Sequence, residues 1–68
     1  MATVYEKVGE NIRRMRTKEK LSQQQLAEKA RLDLTSVSEL ESGLRNPSLK
    51  TLYKISLALK HNIKELFD

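Results

Sequence analysis

Only three residues, Arg31-Leu32-Asp33, separate two stretches that each carry the marks of a complete short helix. The first opens at Ser22-Gln23-Gln24-Gln25, an S-x-x-Q capping box in which serine and glutamine side chains satisfy orphan amides reciprocally. It then brings Leu26, Ala27 and Ala30 onto one face. The second starts from Asp33 as its cap, turns Val37 and Leu40 inward, and ends at Gly43, a residue suited to left-handed backbone. A joint of three residues cannot lay two helices side by side, so it forces a large angle between them. That is a helix-turn-helix arrangement. Ala27 is small enough to let the second helix cross closely over the first. Spacing alone leaves open any other three-helix packing with an alanine at a crossing.

The remainder of the chain also reads as helix. Thr3-Val4-Tyr5-Glu6 has the T-x-x-E form of a capping box, and Val8, Ile12 and Met15 continue as one apolar stripe to about Thr17. Gly9 lies inside that helix at a cost of roughly 1 kcal/mol against alanine, which suits either a close packing contact or a tolerated weakness. Ser48 caps a fourth helix carrying Leu49, Leu52, Ile55, Leu57 and Leu59. Asn62 caps a short fifth with Ile63, Leu66 and Phe67. No strand-like alternation of useful length interrupts the pattern. The expected fold is all-α: a compact bundle of five helices forming one domain over residues 1–68.

Sixty-eight residues without a cysteine leave few means of stabilisation. A chain this short buries only about 60% of its unfolded surface. Disulfides and thiolate metal sites are excluded, and a single histidine, His61, cannot form a zinc site alone. A partner chain is the remaining aid, so oligomerisation is expected. With 38% hydrophobic and 32% charged residues the chain is polar but not disordered in composition. No apolar run approaches the ~20 residues of a membrane span, and no signal-peptide pattern opens the sequence, which suggests a cytoplasmic protein. Neither a nucleophile–base set nor a glycine-rich phosphate loop can be assembled, so no enzyme is expected, and no cofactor, metal or small-molecule ligand.

Net charge +4 and a pI near 9.6 favour a polyanionic partner, nucleic acid before an anionic membrane surface. Against that background the stretch LDLTSVSELESG, residues 32–43, holds three carboxylates and no lysine or arginine. Arg31 and Arg45 flank it. An acidic helix in a basic chain is a poor general phosphate binder, but its side chains can read base edges while neighbouring cations supply the attraction.

A wider pattern joins these pieces. QQQLAEKARLDLTSVSELESG is preceded by Gly9-x-x-Ile12-Arg13, Arg16 and Leu21-Ser22-Gln23. It is followed by Arg45-Asn46-Pro47-Ser48-Leu49-x-Thr51-Leu52-x-x-Ile55-x-x-Ala58-Leu59, and the chain closes on Lys64-Glu65-Leu66-Phe67. Over nearly its whole length the sequence resembles the Cro/cI-type (XRE-like) helix-turn-helix family of bacterial and phage regulators. LDLTSVSELE is similar to the restriction–modification controller branch. The resemblance implies a lambda-repressor-like DNA-binding domain, with the helix-turn-helix at about 23–42 and a recognition helix at about 34–42. Two positions depart from the family: Arg31 and Lys60 stand where it often has glycine. If the backbone there is left-handed, each costs roughly 1–2 kcal/mol.

Roles follow from the resemblance and from helix geometry together. With Val37 and Leu40 inward, the outward set of the recognition helix is Leu34, Thr35, Ser36, Ser38 and Glu39. Thr35 and Ser38 can donate or accept, Leu34 can touch a thymine methyl, and Glu39 can accept from cytosine N4. By resemblance Gln23, Arg45 and Asn46 match phosphate contacts, with Lys50 as an accessory. Glu41, on the opposite side of the helix from Glu39, matches an acid that pairs with Arg16. Ile63, Phe67 and exposed apolar residues of the fourth helix are the expected dimer surface. The function implied is a sequence-specific transcriptional regulator, a repressor or controller protein, binding double-stranded DNA as a dimer on an inverted repeat. The alternatives are a protein-interaction module, such as an antitoxin-type adaptor, and a non-specific nucleoid or RNA binder. The acidic helix and the lack of aromatic stacking surfaces weigh against the last.

Overall fold

The structure is a computed structural model and describes residues 3–68; of the domain expected over 1–68, residues 1–2 lie outside the described residues. Thr3 caps α1 (Val4–Lys18), its hydroxyl accepting from the Glu6 amide at 3.1 Å while Glu6 accepts from the Thr3 amide at 2.8 Å. Ser22 and Gln25 repeat that exchange at the start of α2 (Gln23–Ala30). Next come α3 (Leu34–Glu41) and α4 (Leu49–Leu59), the latter capped by the Ser48 hydroxyl on the Thr51 amide. Among the described residues there is no strand.

The fifth element corrects the expectation of five α-helices: Ile63–Phe67 is a single stretch of 3-10 helix. Five residues hold too few i to i+4 bonds to offset helix nucleation, and the tighter geometry is common in such short pieces. Asn62 stands at its N-cap but makes no side-chain capping bond. A tertiary contact holds the segment. Asn11 of α1, itself buried, donates its side-chain amide to the Leu66 carbonyl at 2.9 Å, and Leu66 inserts fully into the core.

That core gathers Val8, Ile12 and Met15 from α1, Leu26, Ala27 and Ala30 from α2, and Val37 and Leu40 from α3. Leu52, Ile55 and Leu59 of α4 complete it with Leu66. Helix α3 packs against α1 on one side and α2 on the other, while α4 covers α2 and the 3-10 segment. Leu49 and Leu57, in register with the apolar residues of α4, are turned to solvent at 71% and 58% exposure.

Each of the four α-helices ends in a Schellman-type turn. After α2 the Leu32 amide bonds to the Ala27 carbonyl at 2.8 Å and the Arg31 amide to Glu28, with Arg31 left-handed at φ 58°. Lys20 (φ 59°), Gly43 (φ 76°) and Lys60 (φ 61°) hold the matching place after α1, α3 and α4. The backbone therefore keeps left-handed geometry at Arg31 and Lys60 despite the missing glycine, and Lys20 adds a third such position. The turns gain in return: the next residues, Leu21 and Leu32, pack on the core.

At Gly9 two helices come into close backbone contact. A Cβ built there would lie 2.7 Å from the Glu41 carbonyl oxygen and nearer still to that of Leu40, both backbone atoms at the end of α3. The glycine lets α1 touch the last turn of α3, so close packing is the reason it is present.

Two stability predictions follow from these contacts. Gly9→Ala forces α1 and α3 apart and should cost about 2 kcal/mol or more. Lys20→Gly and Lys60→Gly each relieve left-handed strain against the extra entropy of unfolded glycine, a net gain of about 0.5–1 kcal/mol. Thermal unfolding checks both, because about 1 kcal/mol moves the midpoint of a domain this size by roughly 4–8 °C.

Candidate nucleic-acid interface

Helix α3 presents two unlike faces. Inward lie Ser36, Val37, Leu40 and Glu41. Outward lie Leu34, at 44% exposure, with Thr35 and Ser38, and half-exposed Glu39 stands at one edge. Ser36 is therefore a correction. Expected on the outward face, it is 6% exposed, because α3 is wedged between α1 and α2 and its buried arc takes in Ser36 beside Val37, Leu40 and Glu41.

The inward face is fixed by an ionic hub. Arg16 of α1 grips Glu41 with Nε to Oε2 at 2.5 Å and Nη2 to Oε1 at 3.0 Å, and its Nη1 donates to the Leu21 carbonyl at 2.8 Å. Gln23, at the head of α2, donates Nε2 to Glu41 Oε1 at 3.0 Å. The side chains of Arg16 and Glu41 are only 11% and 3% exposed. Both Glu41 oxygens find donors, and no buried side-chain polar atom among the described residues lacks a partner. This fixes the rotation of α3 about its own axis, and with it the set of side chains that face outward. Gln23, expected at phosphate, commits one amide proton to the hub and keeps a second. The α2 amides of Gln23 and Gln24 have no acceptor within the helix.

A second network runs along the opposite edge of α3. Asp33 occupies the N-cap, yet its carboxylate caps no α3 amide; it accepts the Ser36 hydroxyl instead. Arg45, in the loop after α3, donates Nη1 to Ser36 Oγ at 2.6 Å and pairs Nη2 with Glu39 Oε1 at 2.8 Å. Two residues assigned separately, Glu39 to bases and Arg45 to phosphate, are thus in direct contact. The Ser36 hydroxyl, then Asp33's own backbone amide and after it the charge of Arg45, hold the exposed Asp33 carboxyl below the usual aspartate range. A depressed folded pKa means that this contact stabilises the fold above the ordinary aspartate pKa and is lost as pH falls through the lowered value. Asn46 and Lys50 are exposed nearby in sequence, on the loop and the first turn of α4.

Sequence reading overlooked the link between Asp33 and Ser36. Their spacing of three, with serine one place before an inward valine, was the available signal.

A profile described as helix-turn-helix matches residues 12–66. The chain belongs to the XRE-type helix-turn-helix family. It is 41% identical over 61 residues to the control protein C.BamHI of Bacillus amyloliquefaciens, a match covering 88% of this chain and 75% of that one. Identity to the control protein C.MunI of a Mycoplasma species is 44% over 62 residues, covering 88% and 82%. Among solved structures, the restriction-modification controller protein C.AhdI of Aeromonas hydrophila superposes with a TM-score of 0.91 at 40% identity, over 93% of this chain and 96% of that one. The family is one of DNA-binding transcription regulators, and these relatives are regulators rather than enzymes.

The hub carries a stability prediction. Glu41→Ala leaves a nearly buried guanidinium unpaired and should cost about 3 kcal/mol. Arg16→Met combined with Glu41→Leu removes both charges together and should cost less than Glu41→Ala alone. Denaturant midpoints of the three proteins decide the matter; equal losses would mean the ion pair contributes only packing.

Proposed function

We propose that the chain is a transcriptional controller that binds an inverted-repeat operator as a homodimer, one α3 entering the major groove at each half-site. The observation that carries this reading is the division of α3 into a clamped face and a free one. The Arg16–Glu41–Gln23 hub fixes the helix, leaving Leu34, Thr35 and Ser38 exposed in a row with Glu39 beside them. An α-helix fits the major groove, and side chains of these types match base edges there. Gln23, Asn46, Lys50 and the amide end of α2 hold the phosphates on either side. Helix α3 is the recognition helix of a helix-turn-helix spanning about 23–42.

A second copy covers the apolar face. Leu49 joins two adjoining clefts, one lined by Lys50, Tyr53 and Ile63 and the other by Val4, Tyr5, Val8, Pro47, Leu52 and Phe67. Leu49, Tyr53 and Phe67 are exposed at 71%, 54% and 47%, a large apolar surface for so small a domain. A single recognition helix reads only a few base pairs, so useful specificity calls for two of them related by a two-fold axis. Among the described residues no helix is long and apolar enough to cross a membrane, consistent with action on DNA in the cytoplasm.

Selection of bound duplexes from a random pool at physiological salt tests the reading. The expected product is an inverted repeat whose half-sites lie about one helical turn, or a multiple of it, apart. Tyr53→Glu should leave the fold intact, convert the dimer to a monomer in sedimentation, and lower affinity for the repeat to near that of one half-site. Recovery of no repeat, with tight capture of a protein partner by the apolar face, would favour the interaction-module reading instead.

A further inference from the structure

We propose that Arg45 and Glu39 form one base-reading unit for a G·C pair, with Asp33 as the residue that positions it through Ser36. The inference rests on the operator-binding reading above and moves Arg45 out of the phosphate-holding set.

The direction of the hydrogen bonds carries the argument. Ser36 has one hydroxyl proton, and it goes to Asp33. Its oxygen must then accept, which fits the Arg45 Nη1 donor 2.6 Å away. Arg45 is held from a second side by Glu39 Oε1 at 2.8 Å. Two contacts to a rigid planar fork fix its orientation as well as its position. A guanidinium meant for a phosphate would be expected to lie free or to extend away from carboxylates. This one lies along the edge of α3, between a carboxylate and a hydroxyl whose proton is bound to another carboxylate.

What remains unsatisfied points the same way. Arg45 and Glu39 are about equally exposed, at 42% and 41%. Glu39 uses Oε1 in the pair and keeps Oε2, while Arg45 keeps further N–H donors. The unit therefore offers donors and an acceptor side by side, at the edge of the row made by Thr35 and Ser38. In the major groove guanine presents two acceptors, O6 and N7, and its paired cytosine presents the N4 donor. Arginine matches the first and a carboxylate the second. An A·T pair also has two acceptors and a donor, but with the donor between them; two adjacent acceptors on one base beside a donor on its partner belong to G·C. An isolated glutamate at this edge would also be repelled by phosphate, and Arg45 cancels that repulsion without leaving its place.

The test compares duplex selections, each with a salt series on the enriched site, for the wild type, Arg45→Ala, Glu39→Gln, the double variant and Asp33→Asn. Thermal unfolding confirms each fold; the Asp33 side chain is exposed and caps no α3 amide, so Asp33→Asn should melt close to the wild type. The wild type is expected to enrich a G·C position in each half-site. Arg45→Ala and Glu39→Gln should each lower discrimination there by roughly tenfold, leaving other positions as they were, and the double variant should lose little more than either. Asp33→Asn should weaken preference at that same position, a change that a merely structural role would not produce. If Arg45→Ala instead weakens every sequence alike and lowers the salt slope by about one, Arg45 is a phosphate clamp and the unit does not exist. Additive effects at separate base pairs would also overturn it. Failure of the wild type to enrich any repeat would remove the operator-binding reading itself, a result distinct from both.

Discussion

The Arg16–Glu41 pair is the constraint on which the useful geometry of this domain depends. One guanidinium reaches the end of α3 through Glu41 and the α1–α2 connection through the Leu21 carbonyl, and Gln23 closes the circle from α2. Three helices thus meet at a single carboxylate. Apolar contacts alone would hold α3 against the core, but Val37 and Leu40 are too few and too short to fix its rotation. A bidentate ion pair has one favourable orientation, and a small twist of the helix breaks it. Gly9 acts on the same turn from below, since α1 can come this near to the Leu40 and Glu41 carbonyls only without a Cβ. The hydrogen-bonded hub and the bare backbone contact reinforce one another: the first sets rotation, and the second sets distance.

Much of this was legible in the sequence, because its signals are local. The caps at Thr3, Ser22 and Ser48 depend on residues three apart, and each forms. The three-residue joint at Arg31–Asp33 dictates its angle by length alone. Less legible were features decided by what packs from elsewhere. Ser36 turns inward because α3 has neighbours on two sides, a fact that the spacing of Val37 and Leu40 does not contain. Asp33 looks like any N-cap, and only the folded chain turns its carboxylate to the Ser36 hydroxyl. The last segment has apolar residues enough for a helix, but its shape answers to Asn11, more than fifty residues earlier in the chain.

Left-handed turns show the same division between local preference and tertiary demand. Glycine is the favoured residue after a helix, and here it holds that place once, at Gly43. Lys20, Arg31 and Lys60 hold the other three and carry the strain. Two of the turns, after Lys20 and Arg31, send the chain back onto the core within a residue, and Leu21 and Leu32 pack their partly buried side chains there. Burial of most of a leucine is worth about 1.5–3 kcal/mol, enough to offset one left-handed side chain. Using a cation at these places also keeps positive charge on the surface of a domain suited to polyanion binding.

The acidity of α3 then finds its explanation in the same contacts. Its stretch carries Asp33, Glu39 and Glu41 with no cation of its own, which on a DNA-facing helix would place three like charges against phosphate. None of the three stands alone. Glu41 is buried in the grip of Arg16, on the side away from the exposed face of α3. Asp33 accepts a hydroxyl whose oxygen is held by Arg45, and Glu39 is paired with that same arginine. The helix is acidic in sequence, but each carboxylate is compensated by a neighbour on α1 or the following loop. Such an arrangement keeps carboxylate oxygens available as acceptors, which cytosine N4 requires, while removing most of the repulsion that an uncompensated acid would meet. Attraction to the duplex can come from the remaining cations, which are indifferent to sequence, so that affinity and selectivity rest on different residues.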